Sequence, residues 1–190
     1  MSIFKNITDE KLILEYLSLY ERYVLYLEIS NKKRFKAAIL YEAIAKLNAK
    51  TAQPLAAFVL SDAEKKEFRA ALNSDFDKNS NDIARLFLAK HIWYSTNEDD
   101  TVHADLIYDK CTLEHIIPQQ PEAGSNWLTD FDASFRSNMT YKLGNMTLLT
   151  KSKNSAARNF SWERKQKVYE HTKLDMTVAV RSQPDRKSVV

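Results

Sequence analysis

Glycine is almost absent from this chain of 190 residues: Gly124 and Gly144 are the only two, and both fall inside residues 111 to 160. Glycine serves tight turns and positive-φ positions, so such a chain must be mainly helical, with its irregular part confined to that stretch. Apolar spacing agrees. Residues 9 to 29 carry Ile13, Leu17, Tyr20, Val24 and Leu27 on one helical stripe, and Leu12, Tyr16, Leu19, Tyr23 and Tyr26 widen it. This predicts a helix buried on more than one side, with Thr8 as N-cap and Asp9 and Glu10 in the first turn. A second helix is expected after Ser30, with Phe35, Ile39, Ile44 and Leu47. Ser61-Asp62-Ala63-Glu64 matches a capping box before a third, and Ser80 is placed to cap a fourth through Ile83, Leu86, Phe87, Lys90 and Trp93. Residues 1–96 therefore read as a helical bundle, a scaffold or partner-docking region.

The pattern changes after the polar stretch Asn97 to Asp105, read as a linker or loop. Leu106-Ile107-Tyr108 and Cys111-Thr112-Leu113 are strand-like and lead into Glu114-His115-Ile116-Ile117-Pro118, where the proline ends strand pairing. Residues 119 to 140 read as an irregular insertion with a short helix near Trp127 to Phe135. Leu143-Gly144-Asn145-Met146-Thr147-Leu148-Leu149 reads as a turn and second strand. Two helical pieces follow, 151 to 158 and 161 to 173, the latter capped by Ser161. A separate domain is expected over 97–175, and a basic, disordered tail over 176–190. The fold class expected is mainly α with one small β-containing element.

Composition narrows the function. The formal net charge is +3, yet residues 151–190 hold ten Lys/Arg against four Asp/Glu, so residues 1–150 carry −3. That asymmetry suits a polyanion such as nucleic acid, although a solvated helix and loose tail would produce it too. No stretch approaches the roughly 18–20 apolar residues of a membrane span, and the N-terminus has acids where a signal peptide would not. A cytoplasmic protein without a membrane partner is expected. The single cysteine, Cys111, excludes an internal disulfide and a Cys-rich zinc knuckle, so a catalytic metal would be held mainly by oxygen and imidazole.

Polar residues in the second half concentrate at Glu114-His115, Asn145 and Asn154. Phosphodiester hydrolysis needs a water deprotonated for attack, and imidazole titrates near neutral pH, which makes His115 a candidate general base. Charge developing on the phosphoryl group needs a hard cation, for which Glu114 and Asn154 can supply oxygens. Adjacent residues on a strand face opposite ways, so Glu114 and His115 can share one site only if the strand ends or bends there. Lys151, Lys153, Arg158, Arg164 and Lys165 are candidate phosphate contacts, against which stands the reading of Lys165 and Lys167 as solvated charges. Arg158, four residues after Asn154, shares its helical face. Trp127 and Trp162 read as core. His91, His103 and His171 belong to no motif.

Three words, Leu113-Glu114-His115-Ile116-Ile117-Pro118-Gln119, Leu143-Gly144-Asn145-Met146-Thr147-Leu148-Leu149 and Lys153-Asn154, resemble in that order the HNH (His-Me finger, ββα-metal) nuclease motif. The chain is similar to the HNH domain at the C-terminal end of GmrSD-type, modification-dependent restriction enzymes. Asn159-Phe160, Lys167 and Tyr169 fit the tail of that pattern, and the resemblance spans residues 106 to about 172. It implies a metal-dependent DNA endonuclease acting in phage-defence restriction of modified DNA, with Mg2+ or Mn2+ as cofactor. It further implies His115 and Asn145 as catalytic residues, Glu114 and Asn154 as metal ligands, and Lys151, Lys153, Arg158 and Arg164 as nucleic-acid contacts. Asn145 would brace the loop or orient the imidazole, or else cap the Gly144 turn. Asn159 competes with Asn154, which is preferred for its nine-residue spacing from Asn145. Such systems also carry a ParB-like NTPase domain, and no glycine-rich nucleotide segment occurs here, so that partner would lie on another polypeptide or on a longer form of this one, or the nuclease would stand alone. A catalytically inactive nucleic-acid-binding or regulatory subunit is the alternative, and a helical interaction protein with a coincidental motif is the third.

Overall fold

Asp9 starts the first helix. Its carboxylate accepts from the N–H groups of Lys11 and Leu12, so the N-cap of α1 (Glu10–Ile29) is Asp9 and not Thr8. The computed structural model describes residues 8–30, 32, 36–48, 56, 58–76, 81–95, 109–172, 174, 177, 179 and 180. The chain divides into two units, Met1–Asn73 and Ser74–Val190.

In the first unit, α1 is followed by α2 (Lys36–Asn48) and α3 (Asp62–Leu72). The capping box at Ser61 forms as expected, with Ser61 Oγ accepting from the Glu64 N–H and the Glu64 carboxylate accepting from the Ser61 N–H. α1 buries one side, not several. Tyr16, Tyr23, Tyr26 and Leu27 are buried, while Leu14 and Leu17 are exposed. Tyr23, Tyr26 and Leu27 join Ala43, Phe58 and Leu60 in one core, where Tyr20 and Phe58 meet edge to face. Ile44, expected inside, is exposed, and Ala43 takes the buried position of α2.

The second unit opens with α4 (Asn81–Ser95), which buries Ala84, Leu88, Ala89 and Ile92. Its apolar spacing groups this helix with the first three, but it lies in the unit that holds both strands. β1 (Cys111–His115) and β2 (Met146–Thr150) form a two-stranded antiparallel sheet, registering Glu114 with Thr147 and His115 with Met146. Between them run α5 (Asn126–Asp130), α6 (Ala133–Met139) and a 3-10 turn over Leu143–Asn145. The single short helix expected near Trp127 is thus two. α7 (Lys151–Ala157) follows β2 directly, and α8 (Trp162–Tyr169) completes the unit. The chain is mainly helical with this one small sheet among the described residues.

Ile116, Ile117, Trp127, Phe131, Leu149, Ala157, Trp162 and Tyr169 form the core of the second unit. Trp127 and Trp162 are core, as expected, and Trp127 Nε1 donates to the Phe160 carbonyl at 2.9 Å. Thr177, read from sequence as part of the tail, is buried and donates to the Leu148 carbonyl. Phe35, Ser80, the linker 97–105, Leu106-Ile107-Tyr108, His103 and the tail beyond Val180 lie outside the described residues. No helix among the described residues is long and apolar enough to cross a membrane.

Candidate functional site

A cleft of about 460 Å³ opens where β1 ends, lined by Asn81, Leu113, Glu114, His115, Pro118, Gln119, Asn154, Arg158 and Asn159. Pairing stops at His115, and the chain bends through Ile116 and Ile117. That bend answers the geometric problem of adjacent strand residues facing opposite ways, because both Glu114 and His115 line the cleft.

Asn145 makes the bend. It is fully buried; its Oδ1 accepts from the Ile117 N–H at 2.7 Å, and its Nδ2 donates to the carbonyls of Ile117 and Thr140, each at 3.1 Å. Its own carbonyl accepts from the Ile116 N–H at 2.9 Å. Among the alternatives, the amide braces the loop after β1. None of its side-chain bonds among the described residues goes to His115, so any influence on the imidazole passes through the backbone.

Asn154 is held on β1. Nδ2 donates to Thr112 Oγ1 at 2.8 Å and to the Leu113 carbonyl at 2.6 Å. A carbonyl can only accept, so these bonds fix which end of the amide is nitrogen and leave Oδ1 without a hydrogen bond among the described residues. Thr112 and Glu114, two apart on the strand, share a face. Asn154 therefore sits on the Glu114 side. Asn159 lines the same cleft without comparable side-chain anchoring among the described residues.

Glu114 is 3% exposed, and two donors converge on one of its oxygens: Lys165 Nζ at 2.7 Å and Tyr169 Oη at 2.9 Å from Oε1. Burial pushes the Glu114 carboxyl up, opposed by the Lys165 ammonium and the two hydrogen bonds, and burial pushes the Lys165 ammonium down. Burial and the nearby Lys165 ammonium lower the His115 imidazole to about 4, so His115 is neutral near physiological pH. Gln119 Nε2 approaches His115 Nε2 at 3.4 Å, and the Tyr141 ring meets the imidazole edge to face.

The predicted nucleic-acid contacts separate. Arg158 lines the cleft, with its Nε donating to the Ser155 carbonyl. Lys151 is exposed at the start of α7. Lys153 donates to the His171 carbonyl, and the Arg164 guanidinium lies over the Phe160 ring, 3.3 Å from its centroid. Neither lines the cleft. Lys165 is no solvated charge but completely buried, whereas Lys167, matched to the family tail, is exposed. Asn81, at the start of α4, also lines the cleft, and no sequence motif points to it.

Among the described residues no cluster of three or more His, Cys, Asp or Glu could hold a metal. Any cation here would rest on Glu114 and an amide oxygen. That set suits a hard ion retaining several waters and is too poor in nitrogen and sulfur for structural zinc. The model of the family described as GmrSD restriction endonucleases, C-terminal domain, matches residues 62–188. No curated protein and no solved structure matches the chain.

Proposed function

This chain belongs to the family of GmrSD restriction endonuclease C-terminal domains, and from that premise we propose that its second unit is an HNH-type, metal-dependent DNA endonuclease, its β1–β2–α7 segment serving as the ββα-metal element. One observation carries the reading: Glu114 and His115 at the end of β1 and Asn154 from the helix after β2 line a single cleft. Each has the chemistry its role needs.

His115 is the general base. Its imidazole is neutral near physiological pH, which leaves one ring nitrogen unprotonated and able to take the proton of an attacking water in place of its long contact with Gln119. Glu114 and Asn154 would hold Mg2+ or Mn2+, since each is anchored by part of its side chain and keeps one oxygen without a hydrogen bond among the described residues. When bound, such an ion supplies positive charge for the phosphoryl oxygens and the departing oxygen. Arg158, on the cleft wall, is placed to receive a backbone phosphate. Asn145 keeps the loop after His115 in its bend. Phage-defence restriction of modified DNA is the biological role proposed, in concert with a ParB-like NTPase partner.

The test is incubation of the full chain with modified and unmodified plasmid and phage DNA at low salt, in magnesium, manganese or chelator. Cutting that needs the metal and leaves 5′-phosphate and 3′-hydroxyl ends is expected. Binding without cutting under every condition would instead make the chain a nucleic-acid-binding or regulatory module, and absence of both would remove the nuclease reading.

A further inference from the structure

Lys165 and Tyr169, one turn apart on α8, both end on Glu114 Oε1, at 2.7 and 2.9 Å. The same ammonium donates to the His115 carbonyl at 2.5 Å. Lys165 is 0% exposed. Buried ion pairs are weak sources of stability, and well-packed apolar residues often serve as well or better. A pair that only tied α8 to β1 would also favour an arginine fork, which satisfies both carboxylate oxygens. Here a point charge and a phenol share one oxygen, and Oε2 takes no hydrogen bond among the described residues, on a residue that lines the cleft. One buried cation thus fixes the carboxylate and the backbone of the imidazole-bearing residue at a single point.

We propose that Lys165 is the internal counter-ion and positioning residue of the metal-binding carboxylate: it compensates Glu114 when no divalent cation is bound, holds Oε1, and reserves Oε2 for the cation. This rests on the metal-dependent nuclease reading above. Lys165 acts through Glu114 and His115 and, being buried, touches no DNA.

The experiment is thermal melting of the full chain, wild type and Lys165→Met, in chelator and in manganese, with plasmid-cleavage kinetics alongside. In chelator Lys165→Met should melt below wild type, because a buried carboxylate has lost its partner. Manganese should then raise its melting temperature more than it raises that of wild type, since the ion replaces the missing positive charge. kcat should fall about tenfold or more, with KM for DNA near the wild-type value. A manganese shift no larger than that of wild type, or an unchanged kcat, overturns the proposal. If Lys165→Met does not fold in either condition, Tyr169→Phe decides: it keeps the charge and removes one donor, so a several-fold lower kcat at unchanged KM is expected, and an unchanged kcat overturns the proposal. A wild type that neither gains stability from manganese nor cuts DNA contradicts the nuclease reading itself; a wild type that does both, with variants that behave like it, contradicts this inference alone.

Discussion

Asn145 grips both backbone groups of Ile117, accepting its N–H at 2.7 Å and donating to its carbonyl at 3.1 Å. The amide carries its donor and its acceptor on separate atoms, and here they match the N–H and carbonyl of one residue that strand pairing no longer satisfies. Asn145→Ala would strand these buried groups and the Thr140 carbonyl. A loss of about 3 kcal/mol is expected from denaturant unfolding of the second unit. A loss below about 1 kcal/mol would mean that water replaces the amide. Asn145→Asp, which keeps the acceptor and removes the donor, should also destabilise, by placing a carboxylate against two carbonyls.

Arg158 is the one non-glycine residue at positive φ among the described residues, with φ 41° and ψ −136°. Arg158→Gly should therefore be more stable than Arg158→Ala, by about 1 kcal/mol. Both should weaken DNA binding alike and reduce its dependence on log salt concentration by about one unit, as the loss of one phosphate contact requires. Equal stability of the two variants would argue against strain at this position.

Lys153 and Arg164 offer a contrast. Lys153, engaged with the His171 carbonyl, and Arg164, engaged with the Phe160 ring, do not line the cleft that Arg158 lines, so Lys153→Ala and Arg164→Ala should change the salt dependence of DNA binding less than Arg158→Ala does. Binding titrations at several salt concentrations decide this, and an order with Arg158 last would put the DNA path away from the cleft.

In the first unit, Lys32 Nζ contacts Glu67 Oε2 at 2.6 Å and Tyr26 Oη donates to the same oxygen at 2.7 Å. The hydrogen bond from Lys32, then that from Tyr26, lowers the Glu67 carboxyl. A carboxyl lowered by folding contributes stability that is complete above the unfolded value, about 4.3, and is lost as pH falls through the folded one. Glu67→Gln should thus melt slightly below wild type at neutral pH, and the gap should close in acid. The pair is over a third exposed, so the effect is small. A gap that widens as pH falls would contradict the assignment.

The order of elements was legible because helical periodicity, the Ser61 capping box and the Pro118 stop are all local signals. The cap of α1 was missed by one residue since Thr8 and Asp9 both suit an N-cap, and only the reach of the Asp9 carboxylate decides between them. Lys165 was misread for a different reason. Its burial depends on Glu114, 51 residues earlier, and no local pattern carries that contact. A sequence signal did exist: Trp162, Lys165 and Tyr169 fall on one helical face, which sets a lysine inside an apolar stripe. Asn81 reached the cleft through the packing of α4 against the sheet, which the helix pattern alone does not encode. His115, Glu114 and Asn154 are legible because their motif words survive as sequence even though His115 and Asn154 lie 39 positions apart.

The most direct measurement is single-turnover cleavage of bound plasmid DNA in manganese by wild type and His115→Ala, with DNA affinity measured for both. His115→Ala should bind DNA as wild type does and cut it at least about a hundredfold more slowly. Cutting by His115→Ala at the wild-type rate would remove His115 from the role of general base.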